Sequence, residues 1–76
     1  MNFQELQIGD YFRIPGMNRE LVYRKATSSN CSRDGALQPI RPQTTVIKLN
    51  AIQVKEYFFT KFTRKQQFLQ SLRQNN

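Results

Sequence analysis

A chain of 76 residues carrying a formal charge of +7 has room for one small domain, because a chain this short buries only about 60% of the surface its unfolded form exposes. The absence of histidine removes the commonest general base and metal ligand, and the single cysteine, Cys31, cannot form an internal disulfide, which points to a reducing compartment. An apolar content of 38%, with six phenylalanines and three tyrosines, is too high for a wholly disordered chain, yet no stretch approaches the ~18 apolar residues of a membrane span.

Phe3 to Asp10 opens with apolar residues at intervals of three and two and then meets Gly9-Asp10, which predicts a short helical or irregular lead-in followed by a turn. Asp10 to Pro15 alternates, with Phe12 and Ile14 on one face and Tyr11 and Arg13 on the other, the period of a half-buried strand. Pro15-Gly16-Met17-Asn18 reads as a turn, and Glu20 to Ala26 as a second strand. Thr27 to Arg33 is polar and suits a loop or an edge strand; Asp34-Gly35 carries a hairpin signal leading into a short strand from Ala36 to Ile40. Thr44 to Leu49, β-branched at Thr44, Thr45, Val46 and Ile47, is the clearest strand of all.

Beyond Asn50 the period changes. Ala51, Val54, Phe58, Phe62, Leu69 and Leu72 fall at intervals that suit a helix over residues 51–74, with Asn50 placed to cap it. A competing reading makes Ile52 to Phe59 a last strand and starts the helix after Thr63, because Val54, Tyr57, Phe58, Phe59 and Thr60 all favour strands. The helical reading is preferred, with Phe58 and Phe62 packed into the core and sharing it with Phe12, Ile14, Val46 and Leu49, and with Gln74 to Asn76 frayed.

The string F-x-E-L-x-I-G-D-x-F from Phe3 to Phe12, followed by Tyr23-Arg24-Lys25, Asp34-Gly35 and P-x-T-x-V from Pro42 to Val46, resembles a group of short bacterial, cyanobacterial and phage proteins built as small barrels of the Src-homology-3-like type. Over residues 3–49 the resemblance implies five short strands curled into a partly open barrel, and it implies no catalytic residues. The basic segment from Ala51 onward departs from that short form. The expected fold is therefore mainly β, of the α+β class: one domain over 1–76, with a small barrel (3–49) and a basic amphipathic C-terminal helix (51–74).

Chemistry of the enzymatic kind is poorly provided for. Glu5, Asp10, Glu20 and Asp34 sit at turns or strand ends, and Glu56 follows Lys55, so no catalytic site, metal site or cofactor is expected. Asp10 reads as a turn-forming aspartate, and Cys31 as a loop or partly buried thiol without a role. The binding inventory is richer. Every acidic residue lies at or before Glu56, and the segment after it carries Lys61, Arg64, Lys65 and Arg73 among aromatics that include Tyr57. With Lys55, and with Arg13, Arg24 and Lys25 beside tyrosines on the strands, these residues make a candidate surface for nucleic acid or an acidic protein face.

Nucleic-acid binding of low sequence specificity is the leading expectation, because no base-reading motif is present; a protein adaptor docking its basic helix on an acidic partner is the alternative. Membrane attachment by the tail is disfavoured by Gln66, Gln67, Gln70 and Gln74, which narrow its apolar face. Met1 to Glu5 has neither the basic nor the apolar region of a signal peptide, so a cytoplasmic protein is expected, with a second copy of the chain open as a partner.

Overall fold

The computed structural model describes residues 1–74, with side chains described as far as Arg64. Five short strands form one antiparallel sheet: β1 (Tyr11–Arg13), β2 (Tyr23–Lys25), β3 (Asn30–Arg33), β4 (Ala36–Pro39) and β5 (Ile47–Lys48), in the order β4-β3-β2-β1-β5. The first four strands form a meander, and β5 returns to pair with β1, Phe12 opposite Lys48 and Arg13 opposite Ile47. β4 and β5 are therefore the two edges, and the sheet is not closed into a barrel. One helix, α1 (Ala51–Gln74), follows, so the class is α+β with β predominating.

Local chemistry accounts for the turns. Asp34 and Gly35, at φ of 52° and 81°, join β3 to β4 through a two-residue link that brings Arg33 opposite Ala36. Positive φ at both central positions is what a two-residue hairpin between right-twisted strands requires, and Asp-Gly accepts it at little strain. The lead-in is a 3-10 turn at Phe3–Glu5, held where the Asn2 backbone N–H donates to the Glu5 carboxylate at 2.8 Å. Asp10 is a turn residue, as expected: its carboxylate accepts from the Gln7 backbone N–H at 2.8 Å and lies 3.5 Å from the Lys48 ammonium. Pro39 stands in an edge strand, where a residue without an N–H is tolerated.

Strand alternation divides the sheet into two faces. The inner face gathers Phe3, Leu6, Phe12, Tyr23, Cys31 and Val46 into one buried cluster, with Phe3 and Phe12 fully enclosed and in edge contact at 5.6 Å, and Tyr23 stacked on Phe12 at 5.7 Å. Ile14, Leu21 and Ile40 pack around it. Cys31 is thus a core residue of β3 and not a loop thiol, and burial pushes its pKa up.

All four expected strands are shortened, the first to Tyr11–Arg13 and the one from Ala36 by a single residue, and local hydrogen bonds account for the other two. The strand expected over Thr44 to Leu49 is reduced to Ile47–Lys48, because residues 42–46 are engaged by the N-terminal segment: the Phe3 N–H donates to the Thr44 carbonyl at 2.9 Å, Val46 N–H donates to Met1 at 3.0 Å, and Asn2 bridges Thr45. The strand from Glu20 begins only at Tyr23, since the Leu21 N–H closes a turn onto the Asn18 carbonyl at 3.0 Å.

α1 begins where Asn50 caps it. The Gln53 N–H donates to the Asn50 side chain at 2.8 Å, and the Asn50 N–H donates to the Gln53 side chain at 2.9 Å, a reciprocal pair that satisfies two N–H groups a helix start would leave open. The 24 residues span about 36 Å at 1.5 Å per residue, far more than strands of two to four residues can underlie. The helix meets the outer face, where Phe58 lies edge-on to Tyr11 at 5.5 Å. Phe58 and Phe62, expected in the core, are not part of it: they remain 44% and 60% exposed. The physical reason is that Tyr11 and Phe12 are consecutive strand residues and point to opposite faces, so a helix resting on Tyr11 cannot reach the cluster around Phe12. Leu49, also expected in that core, is buried but stands outside its cluster. The expected places of Leu69, Leu72 and the frayed end fall on residues whose side chains, or whose backbone at the last two positions, lie outside the described part.

Candidate functional site

The outer face of the sheet and the near side of α1 enclose two open grooves. The larger, about 620 Å³, is walled by Arg13, Arg19, Arg33, Lys61 and Arg64, with Glu20, Asp34 and Glu56 among them and Tyr57 at its side. The smaller, about 360 Å³, runs beneath Phe58 between Tyr11, Arg24 and Ser32 and shares Arg33, Asp34, Tyr57 and Lys61 with its neighbour. Alternation explains why these residues meet: Tyr11 pairs with Arg24, and Arg24 with Ser32, in one row across the outer face.

All of these cations but Arg19, which is exposed, are held by a hydrogen bond, an ion pair or an aromatic ring. Arg13 is half-buried, and its Nε donates to the Arg19 carbonyl at 2.9 Å, which ties the loop after β1 to the strand. The exposed Arg24 guanidinium lies 5.8 Å from the Tyr11 ring centroid, and Arg33 lies 5.9 Å from that of Tyr23. Cation–π contacts of this kind hold a guanidinium in place and leave its in-plane N–H groups for other acceptors. The Lys61 ammonium bonds the Asp34 carboxylate and lies 5.8 Å from the Tyr57 ring. Arg64 bonds Glu20 at 3.0 Å. The hydrogen bond and charge of Lys61 hold Asp34 below its ordinary pKa, with Arg33 adding to the effect, and the bond to Asp34 raises Lys61.

Of the residues expected at a binding surface, Arg13, Tyr57, Lys61 and Arg64 come together in the larger groove, and Arg24 adjoins them in the smaller. Lys55 is exposed on the helix and lines neither groove. The side chains of Lys65 and Arg73 lie outside the described part. Comparison with family models, curated proteins and solved structures finds no match to this chain. The site therefore rests on its own geometry.

Lys25 is a correction. Only 6% exposed, it points to the inner face with Tyr23 and cannot serve a surface. Its ammonium donates to the backbone carbonyls of Leu6 at 2.7 Å and Phe3 at 3.1 Å, with Gln4 more distant at 3.5 Å, and sits 4.7 Å from the Phe3 ring centroid. The Leu6 carbonyl, past the end of the 3-10 turn, has no partner within the turn, whereas the Phe3 carbonyl already accepts the Leu6 N–H at 3.1 Å and takes the ammonium as a second donor. The same alternation that makes Tyr23 a core residue places Lys25 beside it.

Two residues of the groove carry more weight in the structure than in the sequence. By its pattern Arg19 stands at the turn beside the basic group of Arg13, Arg24 and Lys25, and Arg33 stands out only as a neighbour of Cys31; the position of Arg33 directly before the Asp34-Gly35 link is the available signal. Among the described residues no group of three His, Cys, Asp or Glu side chains gathers as metal ligands would. Nor is any helix among them long and apolar enough to cross a membrane.

Proposed function

We propose that the protein is a small, basic, non-enzymatic module of the cytoplasm that binds nucleic acid with little sequence specificity, gripping phosphates in the groove between α1 and the outer face of the sheet. The observation that carries this reading is the convergence of Arg13, Arg19, Arg33, Lys61 and Arg64 around Tyr57 in one groove of a chain with a net charge of +7. Guanidinium and ammonium groups contact phosphate oxygens irrespective of base, while Tyr57 and Tyr11 at the groove margins provide rings on which an unpaired base can stack. The return of β5 to β1 beside a four-strand meander supports reading the sheet as a partly open, Src-homology-3-like barrel, an architecture whose sheet faces and loops suit such a grip.

Titration of labelled single-stranded DNA, duplex DNA and RNA at two salt concentrations tests this. Binding should appear at low salt and weaken as salt rises. Neutralising Lys61, Arg64 and Lys65 together should weaken unrelated sequences by similar factors and flatten the plot of log affinity against log salt by about two units, since each phosphate neutralised by the protein accounts for roughly 0.7 to 0.9 of that slope. No binding to any of them at low salt overturns the proposal.

That outcome would favour the second reading, an adaptor, which has an observation of its own. Ile52, Phe59 and Phe62 stand 68%, 72% and 60% exposed on α1, with Lys55 exposed on the same helix, an apolar and basic surface suited to an acidic amphipathic partner.

A further inference from the structure

Two of the groove's cations already hold anions. Lys61 is bonded to Asp34, and Arg64 to Glu20 at 3.0 Å. The carboxylates come from the link after β3 and from the loop before β2, 27 and 44 residues away along the chain, so both pairs fasten the helix to the sheet domain. Neither carboxylate makes another hydrogen bond or ion pair among the described residues. The turn at Asp34 is a matter of backbone conformation and does not use its carboxylate. By contrast, none of Arg13, Arg19 and Arg33 pairs with a carboxylate among the described residues, although all three line the same groove.

From this arrangement we infer that Asp34 and Glu20 are internal competitors for the phosphate oxygens of a bound nucleic acid, so that binding proceeds by exchange at Lys61 and Arg64. The inference rests on the nucleic-acid reading above and adds to it how the site is regulated. Carboxylate and phosphate oxygens are equivalent acceptors for ammonium and guanidinium donors. All four side chains of the two pairs are more than half exposed, and pairs of that kind in water are individually weak, so the exchange is easily made. A strand of nucleic acid first meets Arg19, which is exposed and without a carboxylate partner among the described residues, with the half-buried Arg13 and Arg33 beside it. It then displaces Asp34 and Glu20, and once they are released the helix loses both ionic ties and keeps its aromatic contact between Phe58 and Tyr11.

The test is the double variant Asp34→Asn, Glu20→Gln, compared with the parent and with a control, Glu5→Gln, Asp10→Asn, that has the same gain in net charge at residues lining neither groove. Asparagine adopts the φ of 52° at position 34 as readily as aspartate, and glutamine can still accept the Asn2 N–H at position 5, so all three proteins should fold, as circular dichroism will verify. A labelled single-stranded oligonucleotide is titrated into each at several salt concentrations. The Asp34→Asn, Glu20→Gln protein should bind about two- to thirtyfold more tightly than the control, the range two exposed pairs correspond to, with an unchanged salt slope because the phosphate contacts remain the same in number. Equal affinity in the two variants overturns the inference and leaves the nucleic-acid reading standing, since long-range charge alone would then account for the gain. If neither parent nor variant binds at any salt, both fall together. Binding by the Asp34→Asn, Glu20→Gln variant alone supports the inference in its strongest form.

Discussion

The two faces of the sheet use the same side-chain type in opposite ways. On the inner face Lys25 is buried, and three backbone carbonyls of the N-terminal segment receive its ammonium. On the outer face Lys61 is half-exposed and held by a single carboxylate at the tip of a hairpin. The first arrangement cannot exchange partners without opening the core; the second is in contact with solvent and ions throughout. Inner-face contacts should therefore set global stability and be indifferent to salt, whereas outer-face contacts should set the position of α1 and answer to salt, pH and polyanions.

The largest effect is expected at the centre of the inner face. Phe12 is fully buried between Phe3 and Tyr23, so Phe12→Ala removes two aromatic contacts and leaves a cavity, costing about 3 to 5 kcal/mol in denaturant unfolding. A variant that melts within a few degrees of the parent would erase the distinction between the faces. Lys25→Met comes next. It keeps the apolar stem but strips the Leu6 carbonyl of its charge-assisted bond, and the same unfolding measurement should show a destabilisation of about 1.5 to 3 kcal/mol that hardly changes with added salt. A strongly salt-dependent effect would mean that the ammonium is not sequestered as its geometry indicates.

Smaller again is the effect of removing the helix cap. Asn50→Ala leaves the Gln53 N–H without its side-chain acceptor and should weaken α1 by about 1 kcal/mol. Because Phe58 makes the aromatic contact between helix and sheet among the described residues, the change should appear as reduced helical ellipticity while the unfolding of the sheet, followed by the ring resonances of Tyr23 in the inner core, shifts little. Coincident weakening of both signals would show that helix and sheet unfold as one unit, and would blur the comparison at its weakest joint.

What the sequence discloses and what it conceals follow the same division. Contacts between near neighbours are legible: the Asp34-Gly35 link, the Asn50 cap with Gln53 three residues on, and the alternation that buries Phe12 while Tyr11 faces outward. Contacts between distant residues are not. Nothing local to α1 tells which face of the sheet it will meet, so periodicity alone assigns Phe58 and Phe62 to a core that lies on the other side. Nor does the charge run show that Asp34 and Glu20 will close on Lys61 and Arg64. Lys25 falls between the two cases: its inward direction follows from the strand period, but the carbonyls that make burial tolerable come from residues 19 to 22 positions away.

The smallest expected effect concerns pH and isolates the outer face by itself. The bond to Lys61 and its charge, with Arg33 adding, hold Asp34 below its ordinary pKa. A depressed carboxylate contributes to the docked state fully above its ordinary value of about 3.9, and that contribution disappears as pH falls through the lower native value. At the other extreme Lys61, raised by the same bond with Tyr57 nearby, keeps its contribution below its ordinary value of about 10.4 and loses it only as pH rises past its raised one. Docking by this pair should thus be constant across the neutral range. In acid, the ring resonances of Phe58 and Tyr11, which report the contact between helix and sheet, should shift with a midpoint below about 3.9 in the parent and lose that step in Asp34→Asn. Since Asp34 is open to solvent, global unfolding should register almost nothing over the same range. A ring shift with its midpoint at or above the ordinary carboxylate value would show that Asp34 is not engaged by Lys61 in solution, and the outer face would then lack the ionic tie that distinguishes it from the inner one.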